Sequence, residues 1–327
     1  MPLLNRTLAV ALIAGIAAYV FAASNTVTFI GMCDASAAAA LDAERFIVAD
    51  DEDNVLRVFT RSGGEAIFEH DVSEFLGNQG KKKPKEADLE AAAQIGDLTF
   101  WITSHGRNSK GKDKPERQRL FATRTSVENG KIQIQPVGQP YSDLLEVLLA
   151  DQRLAKFHLE QASTLAPKAP GGLNIEGLAG TPEGDLLIGF RNPVPEGKAI
   201  IVPLLNPRDV INGGSAKLGE PRELDLQGLG IRSIEYCAGR YLIIAGAPGA
   251  ADHPPRLFEW DGKDRLTAVE RVPLMGLNPE GIAFQEGAAK GVYFILSDDG
   301  TKQVEGTDCK SLKDPSKKHF RGTIVEF

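Results

Sequence analysis

The sequence predicts an all-β fold, a five-bladed β-propeller carrying an inserted helical segment. Three observations carry the prediction. A short acidic motif recurs along the chain, a fixed train of strands follows each copy, and the last copy is one strand short while the start of the chain has one to spare.

The motif stands as "DLEAAA" from Asp88, "NIEGLA" from Asn174, "SIEYCA" from Ser233 and "NPEGIA" from Asn278. A degenerate copy, "DASAAA" from Asp34, puts Ser36 in the glutamate slot. The key positions are then Ser36, Glu90, Glu176, Glu235 and Glu280, separated by 54, 86, 59 and 45 residues. Apart from the long second gap, that spacing is the length of a propeller blade.

After each motif comes a turn and an apolar strand: "RFIVADDEDN", "DLTFWITSHGRN", "GDLLIGFRN", "RYLIIAGAP" and "GVYFILSDDG". Third strands follow as "NVLRVFT", "RLFATR", "KAIIVPL", "RLFEWDG" and "RGTIVEF". Fourth strands follow in the first four cases: "EAIFEHD", "KIQIQPV", "RELDLQG" and "TAVERVPL". Short strands punctuated by turn residues, in a chain with 34 Gly and 19 Pro, are the pattern of repeated antiparallel sheets. The fifth repeat ends at Phe327 without a fourth strand, and "NTVTFIG" (Asn25 to Gly31) can supply it. That pairing closes the ring and leaves no open sheet edge.

The long gap holds "YSDLLEVLLADQRLAKFHLEQA" from Tyr141. Leu144, Leu145, Leu148, Leu149 and Leu154 recur at helical spacing, so residues 141–172 read as a helical insertion. A sixth blade hidden in the gap is the alternative. Two basic runs, "GKKKPKEAD" from Gly80 and "NSKGKDKPERQR" from Asn108, read as solvated loops or as an anion-attracting rim on the second blade.

Residues 1–22 are set apart. Arg6 precedes the 15-residue apolar run "TLAVALIAGIAAYVF", and Val20 and Ala22 offer small residues for cleavage. This is the pattern of a secretory signal peptide, which makes residues 23–327 one exported propeller, periplasmic or extracellular. Three cysteines, Cys33, Cys237 and Cys309, allow one disulfide in an oxidising compartment, with the pair open. A net charge of −7 argues against nucleic acid as a partner, and the mature chain has no stable membrane insertion.

In a propeller the entry to each first strand and the exit of each second strand share one face. Glu90, Glu176, Glu235 and Glu280 are therefore expected to ring the axis. Around them come "ADDED" from Ala49, "SHGRN" from Ser104, "FRN" from Phe190 and "SDDG" from Ser297; the fourth blade offers only the small, apolar "AGAP" and so an opening. Two carboxylates about 8 Å apart repel by about 2 kcal/mol at an effective dielectric of about 20. A cation, an arginine or a proton relieves that repulsion. Oxygen-only ligands suit Ca²⁺, with Mg²⁺ or Mn²⁺ as alternatives, and the expected set is Glu90, Glu176, Glu235, Glu280, Asp50, Asp51, Asp298 and Asp299. The same glutamates could instead satisfy backbone N–H groups once per blade.

His105, Arg107 and Arg191 are the expected catalytic groups: two guanidiniums to clamp an anionic ester and an imidazole to move a proton. The function these types support is a divalent-metal-dependent hydrolase of phosphoesters or other anionic esters. The alternative is a non-catalytic propeller that binds a ligand or protein through its basic rim and inserted helix. No GxSxG elbow, P-loop, HExxH or haem CxxCH is present.

The motifs "DLEAAA", "ITSHGRN", "NIEGLAGTPEGDLLIGFRNP", "NPEGIAF" and "ILSDDGT" resemble those of the bacterial family DUF3616, a name that implies no activity. More distantly, the EGIA and EGLA strand starts resemble phytase-like and SdiA-regulated propellers. That likeness implies calcium held by acidic residues on one face and cleavage of phosphate esters, although a complete calcium-phytase signature is missing.

Overall fold

The computed structural model describes residues 26–249, 253–270, 274, 276–284 and 292–326. Five antiparallel sheets are arranged as the blades of a propeller. Blade 1 is Ala35–Ala40, Arg45–Asp50, Val55–Thr60 and Phe68–Asp71; blade 2 is Leu89–Ile95, Leu98–Thr103, Leu120–Glu128 and Lys131–Tyr141. Blade 3 is Asn174–Gly180, Leu186–Asn192, Ala199–Leu204 and Arg222–Leu224; blade 4 is Gly230–Cys237, Arg240–Gly246, Arg256–Trp260 and Leu266–Val269. In blade 5, Pro279–Ala283, Val292–Ser297 and His319–Glu326 are completed by Val27–Ile30.

That last pairing is the expected closure. Val27 to Ile30 lie antiparallel to Gly322 to His319, so the first described strand becomes the outer strand of the final blade. Gly64–Glu65 adds a short parallel pairing outside it. Five strands in one sheet and four in each of four others settle the blade count at five; a two-stranded hairpin of Gln303–Val304 and Thr307–Asp308 stands apart in the excursion of blade 5. The long gap holds no sixth blade: Leu144–Ala150 and Leu159–Ala162 are helical, joined by a 3₁₀ turn over Gln152–Phe157. Residues 1–22, read as a signal peptide, lie outside the described residues.

Apolar clusters fill the seams between neighbouring blades. One joins Ile47 and Val58 of blade 1 to Trp101 and Phe121 of blade 2. Another joins blades 2 and 3 and takes in Leu144, Leu148 and Phe157 of the insertion. A third joins Ile201 to Trp260, and a fourth joins Leu242 to Tyr293. The closing seam is aromatic: Phe29 stacks on Phe320 at 4.8 Å and meets Phe46 edge-on at 5.2 Å. Close to the axis the inner strands crowd, and the residues there are small: Ala37, Ala39, Ala91, Ala93 and Ala179 are all buried. A disulfide links Cys33, just before blade 1, to Cys309 in the excursion of blade 5, while Cys237 is a buried thiol.

Candidate functional site

Each inner strand carries one extra residue, a β-bulge against its second strand. In blade 3, Ile175 faces Phe190 and Gly177 faces Gly189, which leaves Glu176 unpaired in the ladder. The same shift isolates Ser36 in blade 1, Glu90 in blade 2 and Glu280 in blade 5. In blade 4 it falls between Ile231 and Ser233, so the bulged residue is Arg232. A bulge bends the strand and re-aims the side chain. The ring is thus Ser36, Glu90, Glu176, Arg232 and Glu280.

Arg232 is the counter-ion that the sequence reading lacked. Its Nη2 pairs with Glu280 Oε1, its Nη1 donates to Asn278 Oδ1 at 2.6 Å, and its Nε stands 3.6 Å from Glu176 Oε2. Arg191, bulged from the second strand of blade 3, donates from Nη1 to Glu176 Oε1 at 2.6 Å and from Nε to the Ala247 carbonyl at 3.0 Å. The opening expected at "AGAP" is filled: a Cβ on Gly246 would lie 2.5 Å from Arg232 Cδ, so glycine makes room for the guanidinium arm.

Above the ring is a cavity of about 620 Å³. Asp34, Asp51, Glu52, Glu86, Asp88, Glu90, Glu176, Glu280 and Asp298 line it, against Arg117, Lys168, Arg191 and Lys310. The acid excess shows in the ionisation. Burial, then Asp298 and Asp50, raises Asp34 to about 8. Burial, then Glu90 and Asp34, pushes Asp51 well above the carboxylate range. Burial, then Glu176 and Asp88, does the same to Glu90. Burial also raises Glu86 to about 7, against the pull of Arg117.

One corner gathers three carboxylates. Single oxygens of Asp34, Asp51 and Glu52 lie within 4.8 Å of one another, the one such group among the described residues. Asp51 Oδ1 is buried without a hydrogen-bond partner. Lys310 Nζ donates to Glu52 Oε1 at 2.9 Å, and Asp298 is on the same cavity wall. Gly300 is needed beside them, because a Cβ there would overlap the Asp34 carboxylate.

A family model described as "Protein of unknown function (DUF3616)" matches residues 121–275. The resemblance is to DUF3616. The matched segment carries "NIEGLAGTPEGDLLIGFRNP", while "DLEAAA", "ITSHGRN" and "ILSDDGT" lie outside it. No curated protein matches the sequence. Among solved structures, Myxococcus xanthus glutaminyl cyclase is 11% identical with a TM-score of 0.45, over 92% of this chain and 95% of that one. A protein of unknown function from Bacteroides caccae is 12% identical with a TM-score of 0.34, over 79% of this chain and 66% of that one. A streptogramin B lyase is 8% identical with a TM-score of 0.38, over 93% and 98%. Likeness of that degree says nothing about activity.

Glu90, Glu176, Glu280, Asp51, Asp298 and Arg191 line the axial cavity. The other expected residues do not. Glu235 is in the slot held by Ala39, Ala93, Ala179 and Ala283 elsewhere, three residues beyond the bulge and opposite Leu242. Asp50 is buried in blade 1 and accepts from the Glu52 N–H at 2.9 Å. Asp299 is tied to Arg321 at 2.6 Å and to the Ser297 hydroxyl at 2.9 Å. His105 is buried in a left-handed backbone conformation, its Nδ1 2.8 Å from the Thr103 carbonyl, and burial lowers its pKa to about 4. Arg107 donates to the carbonyls of Ser163 (2.8 Å) and Gly111 (3.2 Å). Neither His105 nor Arg107 lines the cavity.

Sequence reasoning missed Asp34, Glu52, Glu86, Arg117, Arg232 and Lys310. Two of these left a signal. "IRSIE" at Ile231 aligns with "IEGLA" at Ile175 when the apolar residues Ile234 and Leu178 are matched, which puts Arg232 in the glutamate slot. Asp34 begins the degenerate copy of the motif itself.

Proposed function

We propose that this protein is an exported five-bladed propeller that binds a divalent cation, Ca²⁺ first, through Asp34, Asp51 and Glu52. The observation that carries the reading is that trio, with oxygens within 4.8 Å of one another. At about 5 Å and an effective dielectric of about 20, each pair of ionised carboxylates repels by about 3 kcal/mol. With Asp298 on the same wall, four carboxylates face one ammonium, Lys310. Fully ionised they would leave three residual charges, which a divalent ion held by oxygen ligands offsets as it displaces their protons. The Cys33–Cys309 disulfide supports an oxidising compartment, as does the expected signal peptide. No helix among the described residues is long and apolar enough to cross a membrane.

Binding is favoured over ester hydrolysis. An ion in this corner could polarise an ester and acidify a bound water. Yet of the three expected catalytic groups only Arg191 reaches the cavity, and its guanidinium is committed to Glu176. His105 is neutral and buried, and it does not line the chamber.

The test is thermal unfolding of the full chain in EDTA, followed by addition of Ca²⁺, Mg²⁺ or Mn²⁺. A ligand at a hundred times its dissociation constant stabilises the folded state by about 2.7 kcal/mol. The expected result is a saturable rise in Tm with Ca²⁺ that Asp34→Asn and Asp51→Asn remove. A wild-type Tm indifferent to all three ions at millimolar concentration overturns the reading.

A further inference from the structure

The same cavity has a second acidic recess, at the axis, and its chemistry differs. Glu176 and Asn174 are each 4% exposed and Glu90 is 9% exposed, and all three line the chamber. Glu176 Oε2 and Asn174 Oδ1 are buried without a hydrogen-bond partner. Asn174 spends its Nδ2 on Glu176 Oε1 at 2.7 Å, which fixes the amide with its oxygen unused. Glu90 makes no hydrogen bond or ion pair with the described residues, and its charge is felt chiefly against Glu176 and Asp88. Arg232 Nε, also without a hydrogen-bond partner, stands 3.6 Å from Glu176 Oε2 and gives that oxygen a cation but no hydrogen bond; Asn174 Oδ1 and the Glu90 carboxylate accept no hydrogen bond either, and what they lack is a donor. A buried acceptor left unmatched costs about 1–3 kcal/mol.

Charge decides which donor. With Glu90, Glu176 and Glu280 all ionised, three carboxylates face Arg191 and Arg232 and one negative charge is left over, which burial disfavours on Glu90 until a cation arrives. Asp88, the next acid outward, is paired with Arg117 at 2.9 Å. A divalent ion would overshoot that balance beside two fixed cations, and three carboxylates close enough to share an ion occur at Asp34, Asp51 and Glu52 instead. A primary ammonium brings one charge and three N–H donors. The acceptors are three as well: the Glu90 carboxylate, Glu176 Oε2 and Asn174 Oδ1. A chamber of about 620 Å³ also has room for the rest of a small organic molecule.

We propose that the recess formed by Glu90, Glu176 and Asn174 binds the primary ammonium group of a small organic molecule. Its acceptors are distinct from the trio of the cation corner, although Glu90 and Asp51 feel one another's charge across the cavity. Nothing reacts in this step; an ammonium exchanges its water shell for three fixed acceptors.

The experiment uses the full chain at pH 8 with methylammonium as the probe. Tetramethylammonium serves as a control of equal charge without N–H groups, and K⁺ as a bare monovalent ion. Binding is read by calorimetric titration and by Tm. Methylammonium is expected to bind saturably, with neither control matching it. Glu90→Gln keeps the shape of the side chain and breaks no hydrogen bond or ion pair among the described residues, so it does not threaten the fold. That change should weaken methylammonium by at least about tenfold, the scale of a lost hydrogen bond to a charged group. Asp51→Asn, in the other corner, should weaken it less than Glu90→Gln does, because Asp51 reaches the recess only through its charge on Glu90. Absence of methylammonium binding, equal binding of tetramethylammonium, or tighter binding of K⁺ would each overturn the proposal. So would equal losses in Glu90→Gln and Asp51→Asn, which would merge the two sites into one. Loss of the Ca²⁺ response with methylammonium binding intact would sink the cation corner and leave the ammonium recess standing.

Discussion

Arg232 links the charges at the axis, and its removal gives a sharp expectation. Arg232→Met keeps the aliphatic arm against Gly246 but leaves Glu280 without its guanidinium and Glu176 with Arg191 alone. Breaking a buried ion pair by deleting one partner costs about 3–5 kcal/mol, because the survivor remains charged and buried. Denaturant unfolding should show a loss of that order, and Glu280→Gln in the same chain should restore part of it. An additive double variant would mean that the two side chains do not interact. At the cation corner, Lys310 is a resident ammonium that an arriving metal must displace from Glu52. The pair is partly exposed, so its worth is about 0.2–1 kcal/mol. Lys310→Met should therefore tighten Ca²⁺ by about 1.4- to fivefold in a calorimetric titration, whereas weaker binding would make Lys310 part of the site. Arg232 left only a faint trace in the sequence and Lys310 none. Arg232 breaks the acidic motif it belongs to, and Lys310 reaches Asp34 through a disulfide spanning 276 residues.

Elements were far more readable than their charges. A propeller repeats one local problem: an inner strand of small residues, a turn, then an apolar strand buried on both faces. Each solution leaves the same trace in the chain, so blades and closure could be placed from pattern alone. Phe29 shows why closure is strong. It is fully buried among Phe46, Phe59, Phe294 and Phe320, and thereby joins the first strand to both the first and last blades. Phe29→Ala should cost about 3–5 kcal/mol, the range for a large aromatic removed from a core. A loss below 1 kcal/mol by denaturant titration would show that the closing strand contributes little. The insertion was legible as helix but not in its role. Leu144, Leu148, Leu154 and Phe157 pack into the seam of blades 2 and 3, so deletion of residues 141–162 should destabilise the propeller rather than simply remove a contact surface. Periodicity reveals that a face is apolar, and it does not say which blades cover it. Arg117 was lost for a related reason: it belongs to a basic run that reads as solvent-facing, yet it pairs with Glu86 and Asp88 inside the chamber.

For the molecule as a whole, the acid-rich chamber sets how stability depends on pH. Asp34 is raised to about 8 and Asp50 and Glu86 to about 7, each mainly by burial, from ordinary values of 3.8, 3.8 and 4.5. Between those limits the folded chain holds more protons on these groups than the unfolded chain does. Their contribution to stability is therefore complete below about pH 4 and is lost as pH rises through 7 to 8. His105 acts in the opposite sense. Burial lowers it from 6.5 to about 4, so its contribution is complete above 6.5 and is lost as pH falls toward 4. The two effects oppose each other below 6.5, and above it only the carboxyls act. In EDTA, Tm should then fall steadily from pH 6.5 to 8.5. A bound divalent ion supplies the charge that protons supplied, so added Ca²⁺ should flatten that slope, and its stabilisation should grow with pH as binding displaces fewer protons. The paired change Cys33→Ser and Cys309→Ser extends the test. It removes a link worth about 5.6 kcal/mol in a chain-entropy account, and it also frees Asp34 and Lys310, the residues next to the two cysteines. Its Ca²⁺ shift at pH 8 should be smaller than that of the oxidised protein. An equal shift in both would mean that the corner is held by the blades alone, and a flat Tm in EDTA across this range would mean that the chamber carboxyls ionise without penalty.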